Sequence, residues 1–312
     1  MQEIATDSEL DEINGRLLSA AQDGAADLAL SCARVAADLY KKFARAWPRA
    51  RALNVTVVGL VALGDTAGAC TATRAAVDHG IAEGTMSEAL SAVNAAWAAV
   101  SASEIPVDHI PSILADRVRL FSHLGEHTEA IETLLLAANI YSDYGAFQSA
   151  YRALEDAEKM ARESGIARIV ADVLSTEAAI AATEGDDDFA LKSGAEALRL
   201  YGLGHGKPPG SLLLNLATTH MRKGLTREAL EQFEAALQQM PPDSANFVAT
   251  LVNVSVCYRY LDRLQDADQA IVKARTAIGN GEFEPAIFVE LELVAAANAL
   301  AGVIARMRRA KI

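Results

Sequence analysis

Asparagine recurs on a schedule along this chain. Asn14, Asn54, Asn94, Asn139, Asn215, Asn253 and Asn298 are separated by 40, 40, 45, 76, 38 and 45 residues, and Thr176 falls near the middle of the longest gap. Asparagine is a poor helix-interior residue because its side chain competes for backbone hydrogen bonds, so regular recurrence inside helical stretches asks for a use. A carboxamide both donates and accepts, and can therefore pair with a peptide group whatever the neighbouring side chains are. The chemistry on offer is recognition of another chain's backbone, not bond making. The bland alternative is hydrogen bonding between helices or to water.

Other constellations fit reaction chemistry poorly. His123 and His127 have the i, i+4 spacing of a metal pair on one helix, with His109 and Glu126 nearby, but Gly125 stands between them and breaks such a helix. The run from Gly202 to Gly210 is rich in glycine, yet a helix precedes it where a phosphate loop needs a strand, and Lys207 is followed by Pro208 and Pro209 instead of Ser or Thr. Asp186, Asp187 and Asp188 read as turn and helix N-cap charges that complement the helix dipole. Cys32, Cys70 and Cys257 lie far apart with no metal spacing and read as reduced packing residues. Nothing resembles a nucleophile elbow, a kinase set or a Ser/Cys, His and Asp arrangement. The reading is of a chain that is no enzyme and needs no cofactor or metal.

The elements that must position the amides are helices throughout. Hydrophobic residues make up 51% and aromatics 5% of 312 residues, and roughly a fifth of the chain is alanine, the strongest helix former. Apolar residues recur at three- and four-residue spacing, broken by Gly, Pro or short acidic turns. About fifteen helices are expected, with cores at 8–23, 25–45, 49–63, 66–80, 84–102, 107–124, 127–143, 146–163, 166–184, 187–202, 210–223, 226–240, 244–261, 264–279 and 285–309. Six of the eight prolines fall between these segments, and Pro111 and Pro285 fall near the start of theirs, where a missing N–H does least harm. Breaks this short make consecutive helices antiparallel neighbours.

The clearest stretch runs through Leu212, Leu213, Leu214, Asn215, Leu216 and Ala217 to His220, then Gly224, Ala229, Phe233, Ala236 and Pro241. It resembles a tetratricopeptide repeat in nearly every signature slot, with small Ala217 at the helix crossing, His220 in the aromatic slot and Gly224 at the turn. The next copy keeps Leu251, Asn253, Ser255, Tyr258, Ala267, Ile271 and Ala274 but has Asp262 where the turn glycine belongs. An upstream copy shows Leu174, Ala178, Ala181, Gly185, Ala190 and Ala197, and the N-terminal half repeats the plan around Gly24, Ala29, Ala33 and Ala36, then Gly64, Ala69, Thr73 and Ala76. Between about 84 and 127 the pattern weakens, and Gly125, Ala130 and Ala137 fit it in the opposite helix phase.

The resemblance implies an all-α, right-handed superhelical α-solenoid of about seven antiparallel helix pairs plus a C-terminal helix. Residues 1–312 would form one such body, with the best repeats at 171–204, 210–243 and 248–281 and a capping or junction helix at 285–312. The asparagine spacing puts the unit near 40 residues, which resembles the long-repeat arrays of bacterial signalling proteins, including MalT-like activators and peptide-sensing regulators. In that family the asparagines at the slots of Asn215 and Asn253 face the groove and clamp an extended ligand. The implied groove residues are Asn215, Asn253, Thr218, Arg222 and Arg259, with Val256 beside them and Asn139, Asn94, Asn54 and Asn298 in less matching slots, each placed on the first helix of a pair. Leu214 and Val252 stand where a lysine would help bind a C-terminal carboxylate.

The expected function is a non-catalytic scaffold whose concave groove binds another protein or peptide. The alternative is a regulatory sensor region of a larger protein, with a diguanylate cyclase or transcription-regulator output beyond the C-terminus. A formal charge of −13 argues against direct nucleic-acid binding and favours a basic or neutral partner. No uncharged run approaches the ~20 residues of a membrane span, and the acidic N-terminus is no signal peptide, which makes the expected location cytoplasmic. The last helix ends in Arg306, Arg308, Arg309 and Lys311, cations that suit a helix C-terminus, yet Leu291, Leu293, Val294, Val303 and Ile304 keep it apolar. A missing output domain or a homodimer contact would cover them.

Overall fold

The computed structural model describes residues 66–101, 109–204, 206–242, 244–278 and 285–310, together with the isolated positions 12, 16, 19, 57, 60 and 61. The expected helices at 8–23, 25–45 and 49–63, the repeat slots at Gly24, Ala29, Ala33, Ala36 and Gly64, and Asn14, Cys32 and Asn54 lie outside the described residues. Among those described, twelve α-helices and no strands occur. The chain divides into two compact units, Met1–Ser164 and Gly165–Ile312.

The first unit contains α1 (Thr66–Glu83), α2 (Met86–Ser101), α3 (Ile110–Leu124), α4 (His127–Asp143) and α5 (Phe147–Ser164). The second contains α6 (Ala167–Glu184), α7 (Asp187–Leu203), α8 (Gly210–Arg222), α9 (Thr226–Leu237), α10 (Ala245–Tyr260), α11 (Leu264–Ile278) and α12 (Pro285–Ala310). Within each unit every helix packs on its neighbours in sequence, and some alternate helices also touch: α1 with α3, α6 with α8, and α10 with α12. This is the two-layer packing of an α-solenoid, built from tetratricopeptide-type helix pairs.

The repeat slots are the buried positions. Ala217, Ala229 and Ala236 are fully enclosed, as are Ala267 and Ala274 one repeat later, while Ala178, Ala181, Ala190 and Ala197 are enclosed one repeat earlier. Small residues let the helices approach closely, and larger ones such as Phe233 and Ile271 fill the space between successive pairs. In the weak region α4 packs along α5 more extensively than along α3, so the helix phase does change there, with Ala130 and Ala137 fully buried.

Turn chemistry closes the pairs. At Gly224 (φ 72°) the amide of Leu225 donates to the carbonyl of His220 at 2.9 Å, and that of Gly224 donates to Met221 at 3.0 Å, a Schellman-type helix stop. Asp262, which stands in the glycine slot, adopts the same left-handed backbone (φ 57°), with Arg263 donating to Tyr258 at 2.8 Å. A side chain there carries a steric cost that glycine lacks. Asp262→Gly is therefore expected to stabilise the protein by about 0.5–1 kcal/mol, read as a higher urea midpoint at unchanged m-value.

The C-terminal helix departs from expectation in one respect. Glu290, Glu292 and Arg306 interrupt it, yet residues Ala286–Arg306 are long and apolar enough to cross a membrane, with mean hydropathy 1.9 and only 11% of the apolar stretch buried. One face is nonetheless held by the unit. Leu291 packs among Val248, Leu251, Ile271 and Ile278, and Arg275 of α11 donates from Nε and Nη2 to Glu292 at 3.0 and 2.8 Å.

Candidate functional site

In the second unit the unburied residues of α8 form a stripe. Ser211, Asn215, Thr218 and Arg222 follow one another at i, i+4, i+7 and i+11, while Leu212, Leu213, Leu216 and Ala217 point into the core. On α10 the same logic gives Asn246, Ala249, Asn253, Val256 and Tyr260. α6 touches α8 and α10 touches α12, and α8 meets α10 where Cys257 Sγ lies 3.2 Å from Met221 Sδ, so Asn215 and Asn253 stand on the outer stripes of two adjoining helices of one layer. Both are half-buried, and among the described residues neither side-chain amide has a hydrogen-bond partner. A half-buried amide without a partner retains its whole capacity to donate and accept.

The remaining expected groove residues are placed differently. Arg222 donates from Nε to Asp187 Oδ1 at 2.9 Å and from Nη2 to the carbonyl of Ala182 at 3.1 Å, which ties α8 to the start of α7 and the end of α6. This hydrogen bond and charge hold the Asp187 carboxyl below its usual range. Lys223 pairs with Asp188, and the Asp186 carboxylate accepts from the Phe189 amide at 3.0 Å as the α7 N-cap. The aspartate triplet is thus a helix cap and a clasp for α8. Thr218 is exposed. Arg259 sits at the edge of the α10 stripe over the Tyr260 ring, 5.5 Å from its centroid, with its Nε enclosed and without a hydrogen-bond partner among the described residues.

Asn298 is 3% exposed and donates from Nδ2 to Ser255 Oγ at 2.8 Å, and Ser255 in turn donates to the Ala267 carbonyl at 3.0 Å. It joins α12 to α10 and α11 from inside the unit. Asn94 and Asn139 are exposed on α2 and α4, outside the layer in which α1 touches α3. The expectation that each asparagine lies on the first helix of a pair fails at Asn94, because α2 packs against α1 as its second member. Asn94 Oδ1 accepts from Arg117 Nη1 at 2.7 Å. Arg117 also donates from Nε to Thr133 Oγ1 at 3.0 Å and lies 5.4 Å from the Trp97 centroid and 4.8 Å from that of Phe121, a bridge across α2, α3 and α4 whose burial lowers the guanidinium's pKa.

Two features of the first unit were not legible in the spacing. A groove of about 440 Å³ runs over α3, α4 and α5, lined by Leu114, Val118 and Tyr141 with Arg119, Arg152 and Asp156 among its polar groups. Its walls come from three helices, so no single-helix pattern announces it. Asp116 on α3 is 3% exposed, with Arg74 Nε 3.5 Å from Oδ2 and no hydrogen bond to that oxygen. Burial pushes its carboxyl up against the opposing pull of Arg74 and Arg119, so the neutral form is favoured relative to water.

The cysteines and histidines do not assemble. Cys70 and Cys257 are buried free thiols, and burial pushes Cys257 up to about 11, which is the opposite of nucleophile activation. Gly125 in left-handed conformation separates His123, at the end of α3, from His127, at the start of α4. Among the described residues no three His, Cys, Asp or Glu side chains are grouped to hold a metal ion.

No family model matches the chain, and no curated protein matches it. Solved structures are similar to it at low identity. BtubC from P. vanneervenii is 18% identical, with 88% of this chain and 94% of that one aligned at a TM-score of 0.38. The apo form of RapI is 9% identical over 91% and 80% of the two chains, with a TM-score of 0.49. YrrB, described as a TPR protein with an unusual peptide-binding site, is 19% identical over 65% and 93%, with a TM-score of 0.44. The repeat fold itself rests on the helix pairing and the buried slots described above.

Proposed function

We propose that this protein is a non-catalytic scaffold that binds an extended segment of another protein along the layer formed by α6, α8 and α10, with Asn215 and Asn253 clamping the segment's backbone. The observation that carries this reading is the pair of half-buried amides, on outer stripes of one layer, that have no partner among the described residues. The low aromatic content and scattered carboxylates suit a binding surface better than a catalytic one, and the charge of −13 favours a basic or neutral segment. The groove over α3, α4 and α5 in the first unit offers an apolar seat for a side chain of a separate ligand.

The test is a peptide selected against the whole protein and titrated into the Asn215→Ala/Asn253→Ala variant. Each lost amide pairing is worth about 0.5–1.5 kcal/mol, so affinity is expected to fall roughly tenfold or more at unchanged helicity. A folded double variant that keeps full affinity removes the amides from the site. A second reading, a sensor region that controls an attached output domain, is favoured by the exposed apolar face of α12. The reading frame beyond Ile312 decides whether such a domain is fused.

A further inference from the structure

Tyr141 carries a hydroxyl that the fold does not use. The side chain is 4% exposed and lines the first-unit groove of about 440 Å³, yet among the described residues its hydroxyl has no hydrogen-bond partner, and burial alone pushes its pKa up. Buried hydroxyls are ordinarily paired, because their desolvation otherwise goes uncompensated. This one is not among the fully enclosed unpartnered atoms, so the opening it keeps is the groove.

The walls of that groove differ in character. On α3, Pro111, Leu114, Ala115 and Val118 succeed one another at i, i+3, i+4 and i+7, which puts four apolar side chains on one helical face. On α5, Ser149, Arg152 and Asp156 follow at i, i+3 and i+7 and make a polar face. Leu134 and Tyr141, two turns apart on α4 and both buried, form the floor. Arg152 and Asp156 are exposed one turn apart, and among the described residues neither is paired with the other or with a third group. Cation before anion is the less favourable order for such a pair on a helix. Arg119, by contrast, is held by Asp78 of α1.

We propose that this groove binds a free α-amino acid with a large apolar side chain. The side chain lies against α3 and the floor, the carboxylate meets Arg152 and the hydroxyls of Tyr141 and Ser149, and the ammonium meets Asp156. A guanidinium fork matches a carboxylate in shape as well as charge. A simple organic acid would bring a further negative charge to a chain of −13 and face Asp156 unpaired, and a simple amine would face Arg152. A zwitterion has no net charge and gives each of the two groups its opposite. The volume is that of a small-molecule site. The proposal names the chemistry of the separate ligand of this groove and does not depend on Asn215 and Asn253, which lie in the second unit.

Equilibrium dialysis of labelled L-phenylalanine, L-leucine and L-tryptophan against the full chain reads the outcome. Saturable binding at one site per chain is expected for at least one of them. For that amino acid, Arg152→Gln and Asp156→Asn, both changes of exposed side chains, are each expected to weaken binding roughly tenfold. Tyr141→Phe is expected to weaken it about threefold or more at an unchanged melting temperature, since the hydroxyl has no partner in the chain to lose. Ala115→Trp, at an exposed position of the α3 wall, is expected to fill the groove and abolish binding at unchanged helicity. Analogues of the amino acid without its amino group or without its carboxyl group are expected to displace it only at roughly tenfold higher concentration. Absence of saturable binding by all three amino acids overturns the proposal, as does binding indifferent to Arg152→Gln or to Ala115→Trp. A deaminated analogue that competes as well as the amino acid overturns it too, because Asp156 then reads nothing. The Asn215→Ala/Asn253→Ala variant is expected to bind the amino acid as the wild type does, so this proposal and the peptide-binding reading fail separately.

Discussion

Phe233→Ala is expected to destabilise the second unit by about 3–5 kcal/mol, the largest effect of any single substitution considered. Phe233 is 1% exposed and is the bulkiest side chain fully enclosed among the described residues. It leaves α9 and packs with Ala217 of α8, Val254 and Cys257 of α10, and Ala270 of α11, so one ring joins a helix pair to the pair that follows. These four neighbours, two alanines, a valine and a cysteine, are short side chains on helix backbones that reach little of the space the ring would leave. Much of the cavity therefore stays open, and the cost falls within the usual range for a buried Phe→Ala change. A solenoid derives its stability from such contacts between units as well as from each hairpin. Urea unfolding followed by circular dichroism should show the midpoint shifted to lower denaturant, and Phe233→Leu, which keeps most of the volume, should recover much of the loss. A midpoint within experimental error of wild type for Phe233→Ala would mean that α9 does not bridge the two pairs in this way.

The slot that Phe233 fills was legible in the sequence because the repeat template ties residue type to burial. Ala217, Ala229, Ala236, Ala267 and Ala274 were readable as crossing residues for the same reason, and each is enclosed. Helix boundaries followed from glycine turns. α4 begins and ends at the expected residues, His127 and Asp143, because Gly125 and Gly145 both take left-handed conformations that stop a helix. The asparagine ladder was less reliable, since periodicity along a chain fixes recurrence but not helix layer. A regular interval placed Asn94 on α2 and Asn298 against Ser255, and one amide type thereby serves as an interhelical tie at some rungs and, among the described residues, stands unpaired at Asn215 and Asn253. The first-unit groove and the buried Asp116 had no signature, because each is defined by residues from different helices. The apolar character of α12 was present as a list of residues. Only burial divided that helix into an inward face at Leu291 and Asn298 and an exposed outward face.

Two glycines inside helices, with the same intrinsic propensity, are expected to respond to alanine with opposite signs. In an open helix interior Gly→Ala gains about 0.5–1 kcal/mol. At Gly302 of α12 an added Cβ would meet nothing within 4 Å, so that gain should appear in full. At Gly80 of α1 the same Cβ would lie 2.5 Å from Cβ of Ala89 on α2 and 3.1 Å from the carbonyl oxygen of Thr85. Ala89 is fully enclosed, packed with Val77, Val93 and Leu120, and its methyl has no rotamer through which to withdraw. Helices α1 and α2 must separate, which costs roughly 1–3 kcal/mol of overpacking. Subtracting the propensity gain leaves a net loss of up to about 2.5 kcal/mol at Gly80, and Gly80→Leu should lose more. Thermal melting of the Gly80→Ala and Gly302→Ala variants in parallel measures the difference. A Gly80→Ala variant as stable as Gly302→Ala would show that α1 and α2 do not cross at the distance their small residues permit.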